Sequence, residues 1–138
     1  MNILILAAAA AVLTPAAVAL QEGSVAEQAV LPGATPAADC GNLYGLAGQA
    51  FCVSAPLAGI GALADAYVAD LEAKGWIPAD GNENRVVFIR RREGGGCEGL
   101  QMQVFQDSSR PAGPDAVGYL GFGRIPGDVC AQQSPTRP

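Results

Sequence analysis

The chain has 138 residues, a net charge of −5 and no histidine. That length suits one domain and leaves too little chain for two separate cores. The acidic balance excludes the basic footprint of nonspecific nucleic-acid binding. The missing histidine excludes Ser-His and Cys-His nucleophile pairs.

Residues 1–19 read as a secretory signal peptide. Apolar and small residues are interrupted only by Asn2, Thr14 and Pro15, and the run ends in the Ala17-Val18-Ala19 cleavage pattern. Cleavage is expected after Ala19. The segment has no Lys or Arg near its start, so an uncleaved membrane anchor is the competing reading. Pro15 would kink such a helix, and the apolar run only just reaches the roughly 20 residues a span needs. Residues 20–38 are Ala- and Pro-rich with no aromatic. Such a segment buries too little apolar surface to offset its ordering entropy. A flexible tether is expected, with a short amphipathic helix over 24–31 as the alternative. Residues 39–138 are then the folded domain.

"QAFCVSAP", residues 49–56, has the composition of a strand ended by Pro56, with Phe51 and Val53 on one side and Cys52 on the other. From Pro56 to Trp76 the period changes. Leu57, Ile60, Leu63, Ala64, Tyr67, Val68 and Leu71 recur at helical spacing and form one apolar face. Ser54 is a candidate N-cap, and Gly75 sits where a left-handed residue ends a helix. Gly59 and Gly61 weaken the first turn by roughly 1 kcal/mol each relative to Ala, which leaves that turn open to being loop. "DGNENR" reads as a turn. Residues 86–92, 98–107 and 116–125 read as strands. In the second of these, Leu100, Met102 and Val104 alternate with Gln101, Gln103 and Phe105, the mark of a sheet with one face on the core. The expected fold is α+β: one helix packed on a three- to four-stranded, mainly antiparallel sheet, in the order β-α-β-β-β.

The four cysteines are Cys40, Cys52, Cys97 and Cys130. No pair has the short spacing of a zinc knuckle, whereas an even number in a small exported domain points to disulfides. If the last two strands pair about a loop centred near residue 112, position 97 faces about 127. Cys97 then bridges Cys130 and staples the open strand ends, leaving Cys40 to close a local loop with Cys52.

Other chemistry is sparse. Asp80, Asn82 and Asn84 match the opening of a calcium loop, but Arg85 and Arg91 stand where it wants Gly and Glu. Lys74 is the only lysine and suits a helix C-terminus. No carboxylate pair is visibly placed for acid–base work. No cofactor or metal is expected, and the protein leans away from being an enzyme.

Two surfaces are candidates for a partner. One is the arginine run Arg90, Arg91 and Arg92 beside "EGGG". It reads first as a strand leaving the core at a glycine hairpin, and secondarily as a site for an acidic partner. The other is the sheet face opposite the helix. There Phe105 and Tyr119 would form a shallow aromatic patch paved by Gly121 and Gly123 and flanked by Gln101, Gln103 and Arg91. Such a patch suits an extended peptide or a glycan. It stays open unless residues 40–55 cover it. No N-x-[ST] sequon is present, which leans towards a bacterial envelope protein. The functional expectation is a small periplasmic or secreted binding or inhibitor-type domain. Its partner is a protein, peptide or glycan in the envelope, and membrane contact arises only if the N-terminal segment is uncleaved. A structural envelope component, or a carboxylate- or metal-dependent enzyme, is the alternative.

Overall fold

The computed structural model describes residues 25–132. The signal-peptide expectation for 1–19 lies outside them. Six strands are present: β1 (Thr35–Pro36), β2 (Phe51–Pro56), β3 (Ile77–Asn82), β4 (Arg85–Arg91), β5 (Cys97–Gln106) and β6 (Val117–Ile125). The main helix is α1 (Leu57–Ala73), and a single turn, α2 (Val129–Gln132), follows β6. One antiparallel sheet runs β1-β2-β6-β5-β4-β3. The fold is α+β with one main helix, as expected, but the sheet has six strands where three or four were expected. The additions are β1 and β3. Ile-Pro-Ala-Asp-Gly-Asn is poor in strand formers, and β3 exists because β4, rich in Val, Phe and Ile, offers it a ladder. Its Pro78 and the bulge between Pro78 and Asp80 suit an edge position, where they blunt pairing with another chain.

All seven apolar positions of α1 reach the core. Ile60, Leu63, Tyr67 and Leu71 are buried, and Leu57, Ala64 and Val68 pack around them. They meet one sheet face, built from Phe51, Val53 and Ala55 of β2, Leu120 and Phe122 of β6, Leu100, Met102 and Val104 of β5, and Val86 and Phe88 of β4. Alternation along each strand puts these residues on one side. The helix starts at Leu57 despite Gly59 and Gly61, and no side chain caps it. Ser54 is not the cap. The loop before β6 supplies the acceptors instead: Leu57 N–H donates to Ala116 O at 2.7 Å and Ala58 N–H to Pro114 O at 3.1 Å. At the other end Gly75 takes φ +91°, and Trp76 N–H donates back to Leu71 O at 3.1 Å. That turn drops the Trp76 ring into the core beside Leu71.

The described part of the expected tether is not free. Ala26 is 2 % exposed within the core, Leu31 and Ala34 pack against it, and Val25 forms an antiparallel bridge with Gly123. Tyr67 fastens the segment: its hydroxyl donates to Ala29 O at 2.7 Å and accepts from Leu31 N–H at 3.2 Å. Composition argued against order because the segment has few apolar atoms of its own. What orders it is a buried phenol on α1 whose hydrogen-bonding groups need partners.

Both disulfides form as expected, Cys40–Cys52 and Cys97–Cys130. The register explains the second. Gly99 pairs with Ile125 and Gln106 with Gly118, so the two strands converge on a centre at 112. Asp128 completes this end of the sheet. Its Oδ1 accepts from the N–H groups of Cys97 at 2.9 Å, Cys130 at 3.0 Å and Ala131 at 3.3 Å.

A candidate binding surface on the outer sheet face

The sheet face turned away from α1 carries Cys52 of β2, Tyr119, Gly121 and Gly123 of β6, Gln101, Gln103 and Phe105 of β5, and Arg85, Val87, Ile89 and Arg91 of β4. Residues 37–50 fold over half of it. Ala37, Leu43, Leu46 and Ala50 pack with Cys40, Cys52, Phe105 and Tyr119 in a second, smaller apolar cluster. This flap is tightly wound: Cys40, Asn42 and Tyr44 all have φ between 53° and 56°, a region that side chains other than glycine rarely enter. It is held by the Cys40–Cys52 bridge and by Tyr44 Oη, which donates to Gln106 O at 3.0 Å. Gly41 (φ +68°) lies flat on Tyr119, where a Cβ would meet the hydroxyl oxygen at 2.5 Å.

The flap decides the fate of the aromatic patch. Phe105 and Tyr119 do share the outer face, and their rings stack at 5.2 Å with 13° between planes. Tyr44 adds an edge-on contact to Phe105 at 5.9 Å. Phe105 is left 9 % exposed, so its ring is floor and not platform. Beside the flap the face opens into a groove of about 590 Å³. Gln101, Gln103 and Phe105 line it, with Gln49 and Leu46 on the flap side and the bare backbone of Gly121 and Gly123 between. A second hollow of about 670 Å³ lies beyond Tyr119, against Asp107, Arg110 and Asp115.

The three arginines part company. Arg90 points to the helix side, its guanidinium 4.3 Å from the centroid of the Trp76 ring. It donates to Glu98 Oε2 at 3.1 Å and to Lys74 O at 3.2 Å, closing the C-terminus of α1. Arg124 holds the other Glu98 oxygen at 3.2 Å. The Arg90 hydrogen bond, then the Arg90 charge and the hydrogen bond and charge of Arg124, keep the Glu98 carboxyl below its ordinary range against the opposing effect of burial. The strand therefore does not run into water at residue 90, as alternation alone implied; Trp76 gives the cation a face to lie on. Arg92 donates to Gly127 O at 2.9 Å and braces the hairpin against the loop before α2. Arg91 is exposed on the outer face. Of the seven residues expected to meet a partner, Gln101, Gln103 and Phe105 line the groove, Tyr119 supports Phe105 from behind, and Arg91 stands on the same face. Arg90 and Arg92 are engaged within the molecule, Arg90 with Trp76, Glu98 and Lys74 and Arg92 with Gly127. Sequence reasoning missed Leu46 and Gln49, which only the flap brings there, and Arg85, whose Nη1 lies 3.5 Å from Gln101 Oε1. The two-residue period that exposed Gln101 and Gln103 carries Arg85 as well.

The "DGNEN" stretch closes the β3–β4 hairpin, with Asn84 N–H donating to Asn82 Oδ1 at 2.8 Å. Among the described residues one group of potential metal donors converges, Cys97, Asp128 and Cys130, and its two sulfurs are bonded to each other. No protein-family model, curated protein or solved structure matches the chain.

Asp128 makes a pH prediction. The Cys97 N–H, then those of Ala131 and Cys130 and the charge of Arg92, hold its carboxyl below the ordinary aspartate value of 3.8 against the opposing effect of burial. A folded-state pKa below the unfolded one stabilises above the unfolded value and ceases to do so as pH falls through the folded one. Thermal midpoints measured from about pH 6 downward are expected to drop below about pH 4. Asp128→Asn, which keeps the oxygen and removes the charge, should flatten that drop. An identical acid limb in the variant would show that the charge contributes nothing.

Proposed function

We propose that the protein is a small exported binding domain that holds an extended polypeptide segment of an envelope or extracellular partner on its outer sheet face. The groove beside the flap carries this reading. Its lining is two amide side chains from β5, one from the flap, aliphatic groups, bare glycine backbone and a phenylalanine floor, with Arg124 and Pro126 at the end of β6. Amides offer both donors and acceptors to peptide groups, and side-chain-free backbone lets a chain approach closely. A peptide fits better than a glycan because Phe105, the aromatic residue in the groove lining, stacks its ring on Tyr119 and is 9 % exposed. Two disulfides support maturation outside the reducing cytosol. Among the described residues no helix is long and apolar enough to cross a membrane.

The test is an amide-shift titration of the ¹⁵N-labelled domain with uncharged Ala/Thr/Val peptides and, separately, with N-acetylglucosamine oligomers. Shifts at Gln49, Gln101, Gln103, Gly121 and Gly123 with peptide are the expected result. Shifts confined to the α1 side, or none, would overturn the assignment. N-terminal sequencing of the protein recovered from its native cells tests export, with Leu20 as the expected first residue.

A further inference from the structure

One row of β4 has a pattern the groove does not use. Arg85, Val87, Ile89 and Arg91 stand two residues apart on the outer face, a cation at each end and two aliphatic side chains between. Ile77 of β3 pairs with Ile89 and widens the aliphatic strip, and its side chain is 57 % exposed. Neither apolar cluster among the described residues takes in Ile77, Val87 or Ile89. The strip adjoins the groove directly, since Val87 pairs with Gln101 and Arg85 with Gln103.

The charges around this row run against the molecule's own balance of −5. Ion pairs among the described residues engage Lys74, Arg90, Arg110 and Arg124, and neither Arg85 nor Arg91. Asp80 pairs opposite Val87, and its carboxylate accepts from the neighbouring Gly81 N–H at 2.8 Å. An exposed arginine is cheap to leave in water. Two of them bracketing half-buried aliphatic side chains, with the exposed Ile77 beside them, match a partner that brings acids at its ends and apolar groups between. Their spacing along the strand is about 20 Å at the rise of an extended chain.

We infer that the partner segment is an acidic, extended polypeptide. It crosses the β4 row with apolar side chains on Val87, Ile89 and Ile77 and carboxylates at Arg85 and Arg91, and it continues into the glutamine groove. The inference rests on the binding reading above and adds the partner's chemistry. A second copy of this chain is a poor occupant, because two such faces related by a two-fold axis set Arg85 against Arg91 of the other copy. An anionic polysaccharide would satisfy the arginines and leave the aliphatic strip in water.

The experiment uses a short peptide with a glutamate at each end and Val-Thr repeats between, its lysine-ended counterpart, and polygalacturonate. The glutamate peptide is expected to shift the amides of 85–91, 101 and 103. Its affinity is expected to fall on the order of tenfold in an Arg85→Ala/Arg91→Ala double variant and to weaken with added salt. Arg110→Ala, an exposed arginine elsewhere, should leave it unchanged. Equal binding of the lysine peptide, insensitivity to the double variant, or tighter binding of polygalacturonate would each overturn the acidic-polypeptide inference. If the neutral peptides bind the groove while the glutamate ends add nothing, the inference falls and the broader binding reading stands. If no peptide binds, both fall.

Discussion

Replacing Cys97 and Cys130 by alanine is expected to cost about 4 kcal/mol of stability, and replacing Cys40 and Cys52 about 3 kcal/mol. The bridges close loops of 33 and 12 residues, and the entropy that a cross-link removes from the unfolded chain grows slowly with loop length. The larger bridge joins the first residue of β5 to α2, where Asp128 binds the backbone of both partners. Losing the bond therefore also loosens the setting of that carboxylate. Together the two bridges represent about 7 kcal/mol, comparable to the whole stability of many domains. Urea unfolding of the oxidised and fully reduced protein measures this. The reduced chain is expected to be largely unfolded at ambient temperature. A reduced form within about 1 kcal/mol of the oxidised one would mean that packing alone holds the fold.

Phe122→Ala is the second large effect, expected at about 3–5 kcal/mol. Phe122 is fully buried on β6, with Tyr67 of α1 at 4.9 Å and Phe51 of β2 at 6.2 Å between ring centroids. It joins the helix to both halves of the sheet. Its loss leaves a cavity that three elements would have to collapse into at once, and Tyr67 cannot move without releasing its hydrogen bonds to residues 29 and 31. Chemical denaturation gives the number, and hydrogen exchange should show residues 26–31 opening early in the variant. A cost below about 1 kcal/mol would remove Phe122 from the centre of the core.

The elements that sequence alone made legible share a cause. α1, β2, β4, β5 and β6 each carry enough apolar periodicity to declare which face is buried, and the cysteines fall at the ends of strands whose register follows from one loop. The elements it hid depend on partners distant in sequence. β3 is a strand because β4 pairs with it, not because Pro78, Asp80 and Gly81 favour one. Residues 25–36 are ordered by Tyr67 and by the sheet edge. Arg90 looked solvent-bound because its strand neighbours turn charged there, but its place is set by Trp76, across the sheet edge and fourteen residues earlier. The candidate surface was half legible for the same reason. Alternation put Gln101, Gln103, Phe105 and Tyr119 on one face, and it could not show that a flap wound through left-handed residues would seal the aromatic end and leave the amide end open.

The strand order has a bearing on when the fold can close. β6, the last strand along the chain, lies between β2 and β5 at the middle of the sheet. β2 has no neighbour but the two-residue β1 until residues 117–122 arrive, and Val25 waits for Gly123. A chain emerging from its N-terminus thus holds an unfinished sheet until β6 has been made. Contacts of such long sequence separation form slowly. The Cys97–Cys130 bridge depends on the residues just after β6, so the last of the sheet and the longer cross-link close together.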